Sequence, residues 1–474
     1  MARIVIIGAG MSGLAAAARL ATVGHRVTVC EATGGYGGVL GRYERDGFAF
    51  DTGPGLLSLP AVYRDLALKT GKEPLEQLVE LVPVEPESRH LFPDGTEVVL
   101  PNASRGGVGQ ALDAAFGPGS GARWGEVMNR GRAVWEATRR PLLEEPLPAD
   151  PAPLHADPYA RPPRRGLARL RRPGTWTLAD VAREELGDHP DLARLLHEYA
   201  LRHGLDPREA PAGATVLAYM EQSFGVWYVR GGLRALAEAV RRRCELRRVE
   251  FRFDTPVTEV LTDDGRASGI VAGGERLDAD LVIAAGGHEQ LASAGGARPV
   301  PGAAVRQLKV LLALRGGRPD RVAHRTVVHA ADQRREWEQL FDAPGVPPER
   351  PTVEVLRPAD PALVPGPEHE AVTLTVAVPE GVTAEDLAGY PEHLLEHLAA
   401  AGLDLRGRIR WQEVRTGAPL APPALAGAGG AFLGLPNRTA LPGLYLVGGA
   451  AHPGGGLART GMSAAVTAGL IGPA

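Results

Sequence analysis

Gly8-Ala9-Gly10-Met11-Ser12-Gly13 is a G-x-G-x-x-G run between an apolar stretch at residues 3–7 and an alanine-rich stretch at 12–22. In that setting each glycine has a task. The first permits a tight turn, the second lets backbone approach a pyrophosphate, and the third lets a helix close on a strand. The helix N-terminus then faces the anion. Glu31 ends a second apolar run about twenty residues on, where its carboxylate can accept from a ribose diol and would repel a 2′-phosphate. Together these residues predict dinucleotide binding. Cys30, just before Glu31, reads as a small buried strand residue rather than a reactive thiol.

The elements that must hold these residues form one βαβ unit: a strand over 3–7, a helix over 12–22 and a strand over 26–31. A glycine-rich crossing (Gly34, Gly35, Gly37, Gly38) leads to a helix over 60–70, and Pro93-Asp94-Gly95 predicts a hairpin turn. Residues 141–173 are rich in proline and arginine and read as a long lid or surface loop. Helices are expected over 178–186, 191–203 and 231–243, then strands over 250–253, 257–262, 267–272 and 279–285. Further strands fall at 305–314, 322–330, 352–356 and 371–378, followed by a helix over 384–401, a strand over 443–448 and a helix over 461–471. This order predicts an α/β fold in which a Rossmann-type domain (1–75, 215–300 and 410–474) is interleaved with a mixed α+β substrate domain (76–214 and 301–409).

Composition narrows the function. A chain of 474 residues with 44% hydrophobic content supports several packed units and a site between them. Net charge is -4, with no basic face for a polyanion, so nucleic acid is excluded as a partner. Two cysteines, Cys30 and Cys244, are too few for a disulfide framework or a zinc site and fit a reducing cytoplasm; no metal is expected. No apolar run is long enough to span a bilayer.

Other motifs extend the ligand. Gly37-Gly38, the run from Gly47 to Pro54, and Gly443 to Gly449 offer backbone contacts along one elongated molecule. They are joined, in order, by Gly225-Val226-Trp227-Tyr228-Val229-Arg230-Gly231-Gly232, by Asp360-Pro361 with Val364-Pro365, and by His452-Pro453-Gly454-Gly455-Gly456-Leu457 with Ser463. Over nearly its whole length the sequence resembles the phytoene desaturase family of carotenoid-pathway flavoenzymes, within the amine-oxidase-like FAD superfamily. The resemblance implies FAD, held by Gly8, Gly10, Met11, Ser12, Gly13, Glu31, Gly37, Gly38, Val39, Gly53, Pro54, Val257, Gly448, Gly449, Gly455, Gly456 and Met462. A helix start at Gly461 would face the pyrimidine edge of the flavin. The chain departs from the family at Val39, where an arginine is usual and Arg42 is the candidate substitute. It departs again at Pro436-Asn437-Arg438-Thr439, where a longer stretch is usual, and at Ala458-Arg459, which replace Pro-Gly.

The resemblance implies dehydrogenation of carbon–carbon single bonds in a lipophilic isoprenoid or polyene, with hydride transfer to flavin N5. No acid, base or nucleophile constellation stands out. Glu221 and Arg230 are the polar residues to test for a catalytic role, with a structural salt bridge as the competing reading of Glu221. Two alternatives stay open: a tailoring dehydrogenase of a polyene or cyclohexadiene intermediate in secondary metabolism, and a flavin-free lipid-binding escort, suggested by Val39. The cluster from Arg161 to Arg172, with Leu167 and Leu170, could rest on anionic headgroups or form a solvated loop. The expected partner is a lipophilic small molecule, met in the cytoplasm or on the cytoplasmic membrane face; the electron acceptor is left open.

Overall fold

The computed structural model describes residues 1–161, 175–187, 189–286, 305–343, 345–383 and 385–474. Its first layer is a five-stranded parallel sheet in the order Glu250–Arg252, Arg26–Cys30, Arg3–Ile7, Leu281–Ala285, Leu444–Val447. The central strand shows why it had to be apolar throughout. Ile4 and Ile6 pack on the helical side with Leu14 and the small side chains Ala15 to Ala18, while Val5 and Ile7 pack on the other face with Ala267 and Ile270. Those last two residues belong to a meander of three antiparallel strands over residues 257–278. Alternate side chains thus enter different cores, as strand geometry requires.

The second layer is a seven-stranded mixed sheet in the order Ile409–Pro419, Val305–Arg315, His369–Pro379, Val353–Leu356, Arg325–Val328, Ser88–Leu91, Glu97–Leu100. Helix Tyr390–Ala400 covers one face of it through Leu394, Leu395 and Leu398. Beside the sheet, helices Arg105–Phe116, Ser120–Arg139, Leu178–Glu185, Pro190–Leu201 and Thr215–Phe224 share a separate core around Trp124, Val127 and Leu195. The α/β architecture with an interleaved second domain is therefore present.

Several local expectations are corrected. Helices Arg105–Phe116, Ser120–Arg139 and Thr215–Phe224 were not anticipated, and the first two carry glycines that ordinarily disfavour a helix. Some of those glycines are contact points: a methyl on Gly121 would collide with the Gly109 carbonyl, and one on Gly131 would lie 3.0 Å from Tyr219 Cβ. The expected loop at 141–173 begins late, because a wider helical turn, Arg140–Glu144, continues the helix through Pro141. Pro141 stands at the start of that turn, where a missing N–H is tolerated. Residues 162–174 lie outside the described residues, so of the basic cluster only Arg161 is placed, 5.4 Å over the Trp176 ring. Strand Ile409–Pro419 pairs with Val305–Arg315 in the second sheet, and we propose the domain boundary past 419 rather than at 410. Among the described residues no helix is long and apolar enough to cross a membrane.

Candidate functional site

The carboxyl ends of the parallel strands open onto one crevice, and the chain order reverses between Arg3–Ile7 and Leu281–Ala285. Such a switch point is where an open α/β sheet receives its ligand. The first helix, Met11–Thr22, starts there on Gly10 with no capping side chain and no acid in its first turn. Its first N–H groups are left for a ligand. Gly37 N donates to Ala9 O at 2.8 Å, which brings Gly38 opposite Gly10. A methyl on Gly38 would lie 3.0 Å from Gly10 Cα, while one on Gly10 would have only Gly38 Cα, at 3.9 Å. The two glycines face each other across a gap that only backbone borders. Gly8 and Gly13 act differently: a methyl on Gly8 would meet Ala285 O at 2.7 Å, and one on Gly13 would collide with Gly8 O.

Glu31 is pre-aimed. Its carboxylate accepts from Ala9 N at 2.7 Å, from Thr33 N at 3.0 Å and from Thr33 Oγ1 at 2.9 Å. A carboxylate has about four acceptor positions, so one remains for a ribose hydroxyl. Its carbonyl receives Thr255 N at 2.8 Å, which brings Val257 alongside. The uncapped helix start, the glycine gap and the poised carboxylate fit the adenosine diphosphate part of FAD. Ala285 and Gly286 also border this crevice and were missed. Their signal was present in the sequence as a buried strand ending in glycine.

At the far end, the closing helix is Leu457–Ile471, not 461–471. Gly456, with φ +100°, precedes it without a side-chain cap. Gly461 therefore sits in the second turn, where a methyl would meet Val62 at 2.8 Å; its place is helix packing rather than the ring edge. Met462 packs into the core of the first layer. A methyl on Gly455 would collide with Ala421 O, and one on Gly449 would meet Ala421 Cβ at 2.7 Å, so both glycines let segment 421–424 lie close. Ser463 Oγ accepts from Gly448 N and from buried Asn437, each at 3.1 Å, shaping the turn after the last strand. His452 is fully buried, bonds Glu145 O through Nε2 at 3.0 Å, and is pulled by burial down to about pKa 4.

The middle motifs tie the two layers together. Tyr228 Oη and Gly231 N both donate to Asp360, at 2.7 and 2.6 Å. Asp51 accepts from Leu233 N at 2.7 Å and Arg234 N at 3.2 Å, capping helix Arg234–Leu246 from a distant strand. A methyl on Gly232 would strike the Asp51 carboxylate at 2.7 Å. Arg234 stacks on Tyr36 at 3.8 Å and bonds its carbonyl, holding the 36–40 loop. Val39 is exposed, and its carbonyl sits where a side chain on Gly53 would be. Arg42 does not replace the missing arginine, because it is engaged by Glu44 at 2.7 Å and Gly231 O at 3.3 Å. Lys309, buried, donates to Gly53 O at 2.5 Å and fixes the loop ahead of Pro54.

The structure does not bring Glu221 and Arg230 together. Glu221 belongs to a buried ionic cluster, 3.0 Å from both Arg202 and Arg325. Arg325 also meets Glu87, Glu198 and Glu354 at 2.8 to 3.2 Å. Burial pushes the Glu221 carboxyl up, but the two guanidiniums outweigh it and hold it at about 2. Burial and the Glu221 charge push Glu87 up to about 8. Arg230 is exposed and bonds Glu80 at 3.3 Å and Ala359 O at 3.1 Å.

A shallow apolar cleft, with a cavity volume of about 20 Å³, opens at the head of the closing helix, between helices Ser120–Arg139 and Thr215–Phe224 and the 424–426 segment. Val134, Trp135, Leu142, Leu143, Val216, Met220 and Leu425 line it, with Arg459 inside. Among the described residues its walls hold no carboxylate or histidine.

Residues 11–468 match the model of the flavin containing amine oxidoreductases. The chain is 28% identical to a 4,4'-diapolycopene oxygenase of Methylomonas sp, over 97% of this chain and 96% of that one. It is 34% identical to a zeta-carotene-forming phytoene desaturase of Myxococcus xanthus over 59% of this chain and 52% of that one. A solved oxidoreductase from Methanosarcina mazei shares the fold with a TM-score of 0.62 at 18% identity, covering 98% of this chain and 99% of the other.

Proposed function

The chain belongs to the flavin-containing amine oxidoreductase family, and from that premise we propose an FAD-dependent dehydrogenase that introduces carbon–carbon double bonds into a lipophilic isoprenoid or polyene. The observation that carries this reading is the character of the cleft. Its walls are mostly apolar, which suits a hydrocarbon chain, and the two charged residues that line it, Arg139 and Arg459, are both positive. Arg459 would repel the ammonium group of an amine substrate, which argues against amine oxidation here. The relatives named for carotenoid desaturation and oxygenation support the same substrate class.

When bound, FAD supplies hydride acceptance from an allylic carbon. Gly8, Gly10, Gly13, Glu31, Gly37 and Gly38 would hold its nucleotide half, and the start of the closing helix its ring. Trp135, Val216, Met220 and Leu425 hold the substrate chain and exclude water, so the protein's contribution is orientation in a dry site. Glu221, fixed by two arginines, would keep helix Thr215–Phe224 and hence Met220 in place. Delivery of substrate from a lipid surface by the basic segment that starts at Arg161 is part of this proposal.

The test is the anaerobic visible spectrum of FAD-reconstituted protein before and after addition of phytoene in liposomes. Bleaching of the flavin band with growth of a longer polyene chromophore is expected. A yellow protein unmoved by phytoene would reject a phytoene substrate and turn the reading to a tailoring dehydrogenase of a polyene or cyclohexadiene intermediate in secondary metabolism. The flavin-free escort is set aside, because the glycine gap and poised Glu31 are intact and the chain is a flavoprotein by family.

A further inference from the structure

Most deeply buried arginines of this protein meet a carboxylate. Arg325 meets four, Arg357 meets Glu370 at 2.7 Å, Arg19 meets Asp65 at 2.7 Å, and Arg243 meets Glu73. Arg459, half-buried in the cleft, meets none among the described residues. Its only polar contact is a weak one, Nη2 to the Met220 sulfur at 3.8 Å. It also lies in the first turn of the closing helix, where the helix dipole is positive and a cation is disfavoured. Burial alone pulls its pKa down to about 10. Packing does not require a guanidinium there, since Met or Leu would fill the same space among Trp135, Leu143 and Val216. A half-buried cation against the dipole, with no carboxylate partner among the described residues, is an arrangement that an anion would complete.

We propose that the substrate is an amphiphile, an unsaturated apolar chain ending in an anionic oxygen group, in the simplest case a carboxylate, and that Arg459 receives this group while the cleft takes the chain. The inference rests on the polyene dehydrogenase reading above and narrows its substrate class. A carboxylate matches the planar fork of the guanidinium through two parallel hydrogen bonds, which an ester or a hydrocarbon end cannot reproduce. Arg139, at the cleft wall and loosely paired with Glu144 at 3.9 Å, adds a second positive charge along the way in.

The test uses FAD-reconstituted protein and two fluorescent tetraene probes, cis-parinaric acid and its methyl ester, titrated at pH 7.5. The wild type is expected to bind the acid about ten- to a hundredfold more tightly than the ester, the usual value of a charge-assisted bond. Arg459→Met should remove most of this preference and Arg459→Lys keep part of it, with FAD absorbance showing that each variant is folded. Equal binding of acid and ester by the wild type overturns the inference while leaving the polyene reading standing. Failure of both probes to bind overturns both. An acid preference that survives in Arg459→Met, together with a lowered flavin reduction potential, assigns the arginine to the cofactor and also overturns the inference.

Discussion

Alanine at Gly10 and alanine at Gly13 should have opposite effects, although the two glycines share one motif. Gly10 has φ -69° and ψ 173°, an extended geometry open to any residue, and its added methyl would have only Gly38 Cα, at 3.9 Å. The apoprotein of Gly10→Ala should therefore keep its stability, or gain about 0.4 to 1 kcal/mol through the unfolded chain. The same methyl would stand in the gap between Gly10 and Gly38. It would hold a phosphate away from the first N–H groups of the helix. Losing two charge-assisted bonds of about 1.5 to 3 kcal/mol each raises the FAD Kd by roughly two to four powers of ten. In Gly13→Ala the methyl collides with Gly8 O, and Gly8 is itself pinned by Gly8 N donating to Cys30 O at 2.7 Å. The helix must back away from the sheet, at a cost of about 1 to 3 kcal/mol in the apoprotein. Thermal melts of deflavinated protein and FAD titration followed by flavin fluorescence separate the two effects. A Gly10→Ala protein that binds FAD like wild type, or a Gly13→Ala apoprotein that melts like wild type, would refute this division of labour.

Three further outcomes follow from the same geometry. Arg42→Ala should leave the FAD Kd within about twofold, because its guanidinium is held by exposed Glu44 and a carbonyl; a tenfold loss would show that it reaches the pyrophosphate after all. Arg325→Met strands Glu87, Glu198, Glu221 and Glu354 without their shared cation and should cost about 3 to 5 kcal/mol in urea unfolding, so an unchanged midpoint counts against the cluster as drawn. Burial pushes the Asp51 carboxyl up to about 6, against the two N–H groups that it caps. The folded state therefore holds a proton that the unfolded chain has lost, and this contribution to stability disappears as pH rises from about 4 to about 6. Asp51→Asn should flatten that part of the stability profile, and a slope equal to wild type would mean that Asp51 is ionised throughout.

What was legible in the sequence was what is local. Gly8 to Gly13 and Glu31 lie in one βαβ unit, so residue type and spacing alone specify the turn, the helix start and the carboxylate that we propose for the cofactor. The helices with internal glycines were illegible for the opposite reason: Gly121 disfavours a helix by itself and makes sense only once Gly109 is beside it. The run from Gly225 to Gly232 was visible as a motif but not in its role. Its tyrosine and double glycine answer to Asp360 and Asp51, which stand 132 and 182 residues from the positions they bond. A chain-local reading assigns such residues to chemistry because their types are polar, whereas the structure uses them to bond segments far apart in the chain, Tyr228 and Gly231 to Asp360 and the start of helix Arg234–Leu246 to Asp51. Arg459 inverts the case. Its sequence signal was only a departure from Pro-Gly, yet among the described residues it meets no carboxylate in an apolar cleft, which is why we propose that something outside the chain completes its energetics. Glu221, whose charge is answered by Arg202 and Arg325, reports on architecture, whereas Arg459, with no carboxylate partner among the described residues, is the residue from which we propose the ligand.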